Sequence, residues 1–268
     1  MRAESRWLEL GQMDDAARMD SAVHRLDPRA KILVTLAFLV VVMSFSRYTL
    51  SALTPFLSYP LVLIALSRVP LLPLARKLVW AAPFALLVGA FNPLFDREPM
   101  LHLGGWTISG GWISFANIGI RFILTVSAAL VLIATTGMHR LCAGMERLAV
   151  PRVLVAQMLF LYRYLFVVSG EGSRMVRAAQ LRAGASALSL RVYGTLVGML
   201  LLRSLDRAER VHQAMLARGF EGSLRRLDAH SFGWREAAFV LGWLSFFAVA
   251  RVWNLATLLG SAAMRAGG

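Results

Sequence analysis

Cysteine is almost absent from this chain of 268 residues. Cys142 stands alone, so no intrachain disulfide can form, and one thiol cannot build a structural zinc site. Lysine is nearly absent too, occurring only as Lys31 and Lys77. Neither ends a Gly-x-x-x-x-Gly-Lys-Ser/Thr run, because Ala30 and Arg76 precede them, so the usual phosphate cradle of an ATP-hydrolysing loop is missing. The histidines His24, His102, His139, His212 and His230 are scattered, with none paired at helix spacing. His102 has Asp96 and Glu98 nearby in sequence, a loop set without the convergent ligands that a held ion requires. There is no Gly-x-Ser-x-Gly elbow and no compelling acid–base pair. These absences point to a non-catalytic chain that binds no metal or cofactor of its own.

Charge is scarce as well, at 16% of residues, while 57% are hydrophobic and the mean hydropathy is +0.60. Soluble domains carry about a quarter charged residues. The apolar excess is gathered into long runs that a soluble core could not hide, and lipid is their natural solvent. The formal net charge of +14 is nearly all arginine placed between those runs, which suits loops held on the cytoplasmic side and not a nucleic-acid surface. No removable signal peptide is expected, since Met1 to Lys31 is largely polar.

A spanning helix needs roughly 20 mostly apolar residues. The candidate spans are Ala30–Phe45, Tyr48–Leu66, Leu78–Phe95, Trp112–Thr136 and Trp234–Ala250. Lys31 is expected to snorkel to the headgroups, as is Arg121 near the outer end of the fourth span. Pro55, Pro60 and Pro83 are read as tolerated kinks, and Asn92-Pro93 with Gly104, Gly105, Gly110 and Gly111 as a turn-rich loop. Val153–Val168 and Leu188–Leu202 are also apolar but contain Arg163 and Arg191. Keeping them out of the membrane leaves only Arg47, Arg97, Arg251 and Arg265 as outer-side charges, which is the asymmetry that membrane insertion reads.

The expected architecture is therefore an all-α polytopic membrane protein of about five transmembrane helices. Residues 1–29 form a cytoplasmic N-terminal segment and 30–136 the first four helices. Residues 137–231 form a cytoplasmic insert of amphipathic helices, and 232–268 the fifth helix with a tail. The expected location is the bacterial inner membrane, multi-pass, with the N-terminus in the cytoplasm.

Within the insert, Leu205, Ala208, Val211 and Met215 recur at three- and four-residue steps and predict one apolar helix face, with Asp206 and Arg210 able to pair. The helix closes at Ala217-Arg218-Gly219, and a second closes at Arg182-Ala183-Gly184. Each end presents an arginine beside small residues, able to reach carbonyls or carboxylates in a groove; arginine followed by glycine is also ordinary helix-end chemistry. Gly194 and Gly198 are spaced for two helices to cross closely, a spacing that also arises by chance.

The segments His24–Lys31, Thr135-Thr136, Met145–Arg152, Tyr162-Arg163-Tyr164, Arg174–Gly184, Leu201–Arg210 and Ala214–Phe220, in this order, resemble the EcfT/CbiQ family. These are the transmembrane T subunits of energy-coupling-factor importers, and the CbiQ branch is the most similar. The resemblance covers most of the chain. It implies that Ala217, Arg218 and Gly219 dock one ATPase subunit, and that Arg182, beside Ala183 and Gly184, docks a second. Leu181-Arg182-Ala183-Gly184 departs from the family's Ala-Arg-Gly-type pattern, which leaves only Arg182 carried over there. Further implied partners are an integral-membrane substrate-binding subunit similar to CbiM, with a small accessory membrane subunit, in the lipid bilayer. ATP and Mg would sit on the ATPases, and transported Co2+ or Ni2+ on the substrate-binding subunit. A self-sufficient secondary transporter is the rival, but its inverted repeats are not visible in the sequence.

Overall fold

Ser21 accepts the His24 amide at the start of a short helix, α1 (Ala22–Arg25). Asp27 then caps α2 (Pro28–Met43), accepting the Arg29 amide at 2.8 Å, with Pro28 at the first helical position where its missing N–H costs nothing. The structure is a computed structural model, and it describes residues 17, 19–46, 50–95, 99–103, 106–184, 187–220, 222 and 232–252. Arg47, Arg97 and Arg265, counted above as outer-side charges, and the acids Asp96 and Glu98 lie outside the described residues.

The second expected span is not one continuous helix. Pro55 lacks a donor, and Ser51–Leu57 takes 3-10 form before α3 (Ser58–Ser67), whose first turn absorbs Pro60. The third helix begins earlier than expected. Pro70 precedes α4 (Leu71–Ala90), so Arg76 and Lys77 lie inside the helix and not before it. After α5 (Asn92–Phe95), the region read as a loop contains an antiparallel hairpin, β1 (Pro99–Leu103) with β2 (Trp106–Ser109). The Gly104-Gly105 pair between them is a hairpin signal that a helix-only reading passes over. Apart from this hairpin the described chain is helical, as expected, with α6 (Gly110–Thr136), α7 (Met138–Arg147), α8 (Arg152–Ala183), α9 (Leu190–Leu216) and α10 (Trp234–Val252) completing it.

The chain divides into two compact units, at Gly137/Met138 and again at Ala229/His230. The first unit holds α1 to α6 and α10. Lys31, at the start of α2, donates to the Thr135 carbonyl at the end of α6, while Arg121, early in α6, donates to the Phe45 and Ser46 carbonyls just past α2. Those two helices are therefore antiparallel. Phe247 lies against Phe38, and Arg251 donates to the Ser44 carbonyl, so α10 runs with α2. Consequently α6 ends, and α10 begins, at the same end of the bundle. Gly89, near the end of α4, faces Phe115 near the start of α6 so closely that a Cβ would lie 2.9 Å from the ring. The core is a cluster of Phe38, Phe56, Tyr59 and Phe247, with Phe38 and Tyr59 ring centroids 4.7 Å apart and Trp243 edge-on to Tyr59.

Leu72, Trp80, Phe84 and Leu87 on α4 are exposed. Such a surface fits hydrocarbon or another subunit and not water. By length and composition, α4, α6 and α8 are the described helices able to cross a membrane.

Phe38→Ala should cost about 3–5 kcal/mol, because its neighbours are rings that cannot all collapse into the void. A detergent melt showing an unchanged midpoint would rule out the aromatic cluster as the centre of the bundle.

Candidate functional site: the arginine-tipped helix pair

In the second unit, two stretches that the sequence suggests as separate pieces become single helices. Val153–Val168 and Arg174–Gly184 run together in α8, which ends at Ala183, and Leu188–Leu202 and Arg203–Gly219 in α9, which starts at Leu190 and ends at Leu216. Pro is absent from both interiors, and Gly170 and Gly172 are tolerated inside α8.

The two helices pack antiparallel. Phe160 in the first half of α8 meets Phe220 just past α9, at 6.4 Å between ring centroids. Glu171 accepts from Arg203 at 2.7 Å and from Arg174 of its own helix at 2.7 Å. A Cβ on Gly172 would sit 3.3 Å from Leu200 Cδ2, so the glycine permits the close approach at this point. Glu171 was not singled out by the sequence, since one acid in a run of small residues has no motif. The expected Asp206–Arg210 pair is not among the described ion pairs, and the acid that matters here belongs to the partner helix.

The apolar face of α9 is also divided. Leu196, Leu200, Ser204, Val211 and Met215 are partly covered, whereas Leu205 and Ala208 are exposed. A second row, Leu190, Val197, Leu201 and Leu205, faces outward, and no residue of α9 is fully buried. Gly194 and Gly198 do not serve helix packing within the described chain, because a Cβ on either would meet nothing within 4 Å. Each lies two residues, about 200° of helical rotation, from the covered positions Leu196 and Leu200.

Both arginine tips are well defined. At the end of α9 the Phe220 amide donates to the Met215 carbonyl at 3.0 Å and the Gly219 amide to Leu216 at 2.9 Å, with Gly219 at φ 74. This is a Schellman closure with glycine in the left-handed position and Arg218 as the last residue before it. Ala217, Arg218 and Gly219 are exposed. At the end of α8, Arg182 lies in the last turn and Gly184 takes φ 61, ψ −126, a backbone open essentially to glycine. Arg182 and Gly184 are exposed and Ala183 is half-buried. Arg182 is thus two residues before its glycine, whereas Arg218 is next to its own. The two guanidinium groups leave their helix ends on different azimuths, by about 100° per residue.

Because the pair is antiparallel, the tips lie at opposite ends. From the Glu171–Arg203 contact, Arg182 is roughly 17 Å along one helix and Arg218 roughly 22 Å along the other at 1.5 Å per residue. A third helix end, at α7, repeats the closure with Ala149 in place of glycine, at φ 66, and the Val150 amide donating to Met145.

At one end of the first unit's bundle, the start of α2 meets the end of α6. Lys31 does not snorkel: it is 3% exposed, and its ammonium caps the carbonyl of Thr135 at 2.9 Å. Arg121 likewise caps the end of α2 with bonds of 2.7 and 2.8 Å. For Lys31, burial against an open helix end is the better outlet, since the free carbonyls there carry the negative end of the helix dipole, while Arg121 ties the segment just past α2 to α6. On the surface, Arg25 grips both Asp20 oxygens and holds that carboxyl below its usual range. No group of three or more potential metal ligands occurs among the described residues.

Comparison with known proteins gives one consistent answer. The model of the CbiQ family, described as cobalt transport protein, matches residues 19–229. The chain is 32% identical over 240 residues to the energy-coupling factor transporter transmembrane protein EcfT of Limosilactobacillus fermentum, covering 81% of this chain and 87% of that protein. It is 30% identical over 155 residues to the cobalt transport protein CbiQ of Salmonella typhimurium, covering 53% and 69%. With the EcfT of Thermanaerovibrio acidaminovorans it shares 30% over 236 residues, covering 80% and 85%.

Gly219→Ala should loosen the α9 closure by about 1–2 kcal/mol, the cost of a Cβ in left-handed backbone. Hydrogen exchange at the Phe220 amide should quicken roughly tenfold, since 1.4 kcal/mol is a factor of ten. Ala149→Gly should do the reverse at α7, slowing exchange at Val150.

Proposed function

The chain belongs to the CbiQ family of cobalt transport proteins, and from that membership we propose that it is the coupling subunit of an ATP-driven energy-coupling-factor importer. It is a membrane component of the transporter and not the catalyst. Two ABC ATPase subunits hydrolyse ATP with Mg and grip the tips at Arg182 and Arg218. A separate membrane subunit similar to CbiM, with a small accessory subunit, holds the transported ion, Co2+ first and Ni2+ as the alternative.

The observation that carries this reading is the placement of two exposed arginines, each at a glycine-closed helix end, on opposite ends of one helix pair. A single partner groove could not receive both, whereas two copies of a motor could take one each. ATP-driven approach of the copies changes what each tip contacts, and only such a difference in contact between states can shift a conformational equilibrium. The guanidinium fork suits carboxylates and carbonyls lining a groove.

The same end of the bundle emits α6 and receives α10, which supports a reading in which residues 137–231 lie on one side of the membrane. The basic character of that insert supports a cytoplasmic location, and with it a reading of five passes and the N-terminus inside. Although α8 is long and apolar enough to span, Arg163 is exposed midway along its apolar half, where lipid would cost it about 2.5–3.5 kcal/mol. The uncovered row on α9 then lies at the membrane surface or against the substrate-binding subunit.

Arg182→Ala with Arg218→Ala should reduce copurification of the ATPases, and ATP-dependent cobalt uptake, at least tenfold, while the subunit still inserts in the membrane. Full uptake by the double variant would overturn the proposal. Uptake by the isolated chain in liposomes without ATP would establish the secondary transporter instead.

A further inference from the structure

Lys31 is buried in the first unit, at 3% exposed, and the bonds around it form a polar seam between helices of a largely apolar bundle. Its ammonium holds the Thr135 carbonyl across 104 positions of sequence at 2.9 Å. Its own carbonyl accepts from Thr35 Oγ1 at 2.7 Å, and that oxygen shares a hydrogen bond with the Tyr59 hydroxyl at 2.8 Å. Thr135 Oγ1 bonds back to Val131 at 2.8 Å, and the Gly137 amide, at φ 72, closes α6 on Ile133 at 2.9 Å. The Lys31 side chain therefore joins α2 to α6, while the neighbouring Thr35–Tyr59 bond joins α2 to α3, at the last turn before the chain passes into the arginine-tipped helices.

A helix end can be satisfied by water or by a neutral cap, and either avoids the cost of desolvating an ammonium. A buried lysine differs in kind: three donors on a long stem that span the gap between helices and bind the negative end of α6. Without it, the final turn of α6 could fray at Gly137, and any displacement arriving from the insert would be lost in that fraying. We propose that Lys31 is a positioning residue for transport, making the last turn of α6 move as one body with α2 and α3 so that movement of the coupling helices reaches the bundle. The proposal rests on the coupling function above and goes beyond it by naming where the motion is received.

The test uses the whole importer, with its ATPases and substrate-binding subunit, in liposomes, with cobalt as the probe. Lys31→Met should assemble and hydrolyse ATP within about twofold of wild type, while cobalt imported per ATP falls at least tenfold; Lys31→Arg, which keeps a charged donor, should recover most of it. A wild-type ratio in Lys31→Met overturns the proposal, and so does an equal fall in ATP turnover and import, which marks a merely structural residue. Hydrogen exchange on the wild-type complex keeps the matter decidable if Lys31→Met does not assemble. The Gly137 amide should be protected like the middle of α6, and exchange at the rate of a frayed end overturns the proposal. Failure of the coupling function itself looks different, because the wild-type chain would then retain no ATPase.

Discussion

A cation laid on the open carbonyls of a helix end is the contact that the first unit is built around. The last carbonyls of each helix have no partner within the helix, and a donor from elsewhere in the chain can satisfy them. Lys31 supplies it to α6, Arg121 to the end of α2, and Arg251 adds a bond to the Ser44 carbonyl while its guanidinium lies over the Phe45 ring at 4.2 Å. Each contact pairs one helix with another, so satisfying the backbone also fixes the order and direction of the helices. The aromatic cluster fills the space that this framework leaves.

The second unit uses the same chemistry with the opposite outcome. Arg182 and Arg218 stand at helix ends where Gly184 and Gly219 bend the chain away, and their guanidinium groups remain exposed. The carbonyls at the end of α9 are already partnered by the closure on Met215 and Leu216, so Arg218 is free to serve something other than its own helix. An exposed arginine held on a closed helix end is pre-positioned, and less entropy is lost when it binds than would be lost from a loop. The uncovered row from Leu190 to Leu205 is likewise left open, since α9 has no fully buried residue among its contacts with the described chain.

Much of this was legible in the sequence, and the losses follow a pattern. Long apolar runs revealed the helices, and glycine after arginine revealed both tips, because these are local signals of composition and closure. The start of α4 was displaced because Arg76 and Lys77 look like a boundary when only charge is counted, whereas Pro70 is the physical one. Lys31 and Arg121 were expected to reach the headgroups, since nothing nearby in sequence announces a carbonyl waiting some 104 or 76 positions away. Glu171 was invisible for the same reason. The two-residue period of the hairpin strands was masked by the glycines read as loop. Gly194 and Gly198 show the converse, a recognisable spacing on a face that meets no helix among the described residues.

The geometry of the pair also constrains how force can pass through it. A helix transmits displacement along its axis without loss only while its hydrogen bonds are continuous, and α8 and α9 are uninterrupted over 32 and 27 residues. Near the middle, the two are joined by the Glu171–Arg203 bond and the close approach at Gly172, and near one end by Phe160 against Phe220. Under the proposed coupling, opposed pushes on the two tips would act as a torque about the central contact and not as a translation. An exposed ion pair is a weak clamp, of about 0–1 kcal/mol, so the central contact is suited to a pivot that yields in angle. The packed glycine keeps the separation of the helices, and any change in their crossing must be accommodated at the Phe160–Phe220 ring contact.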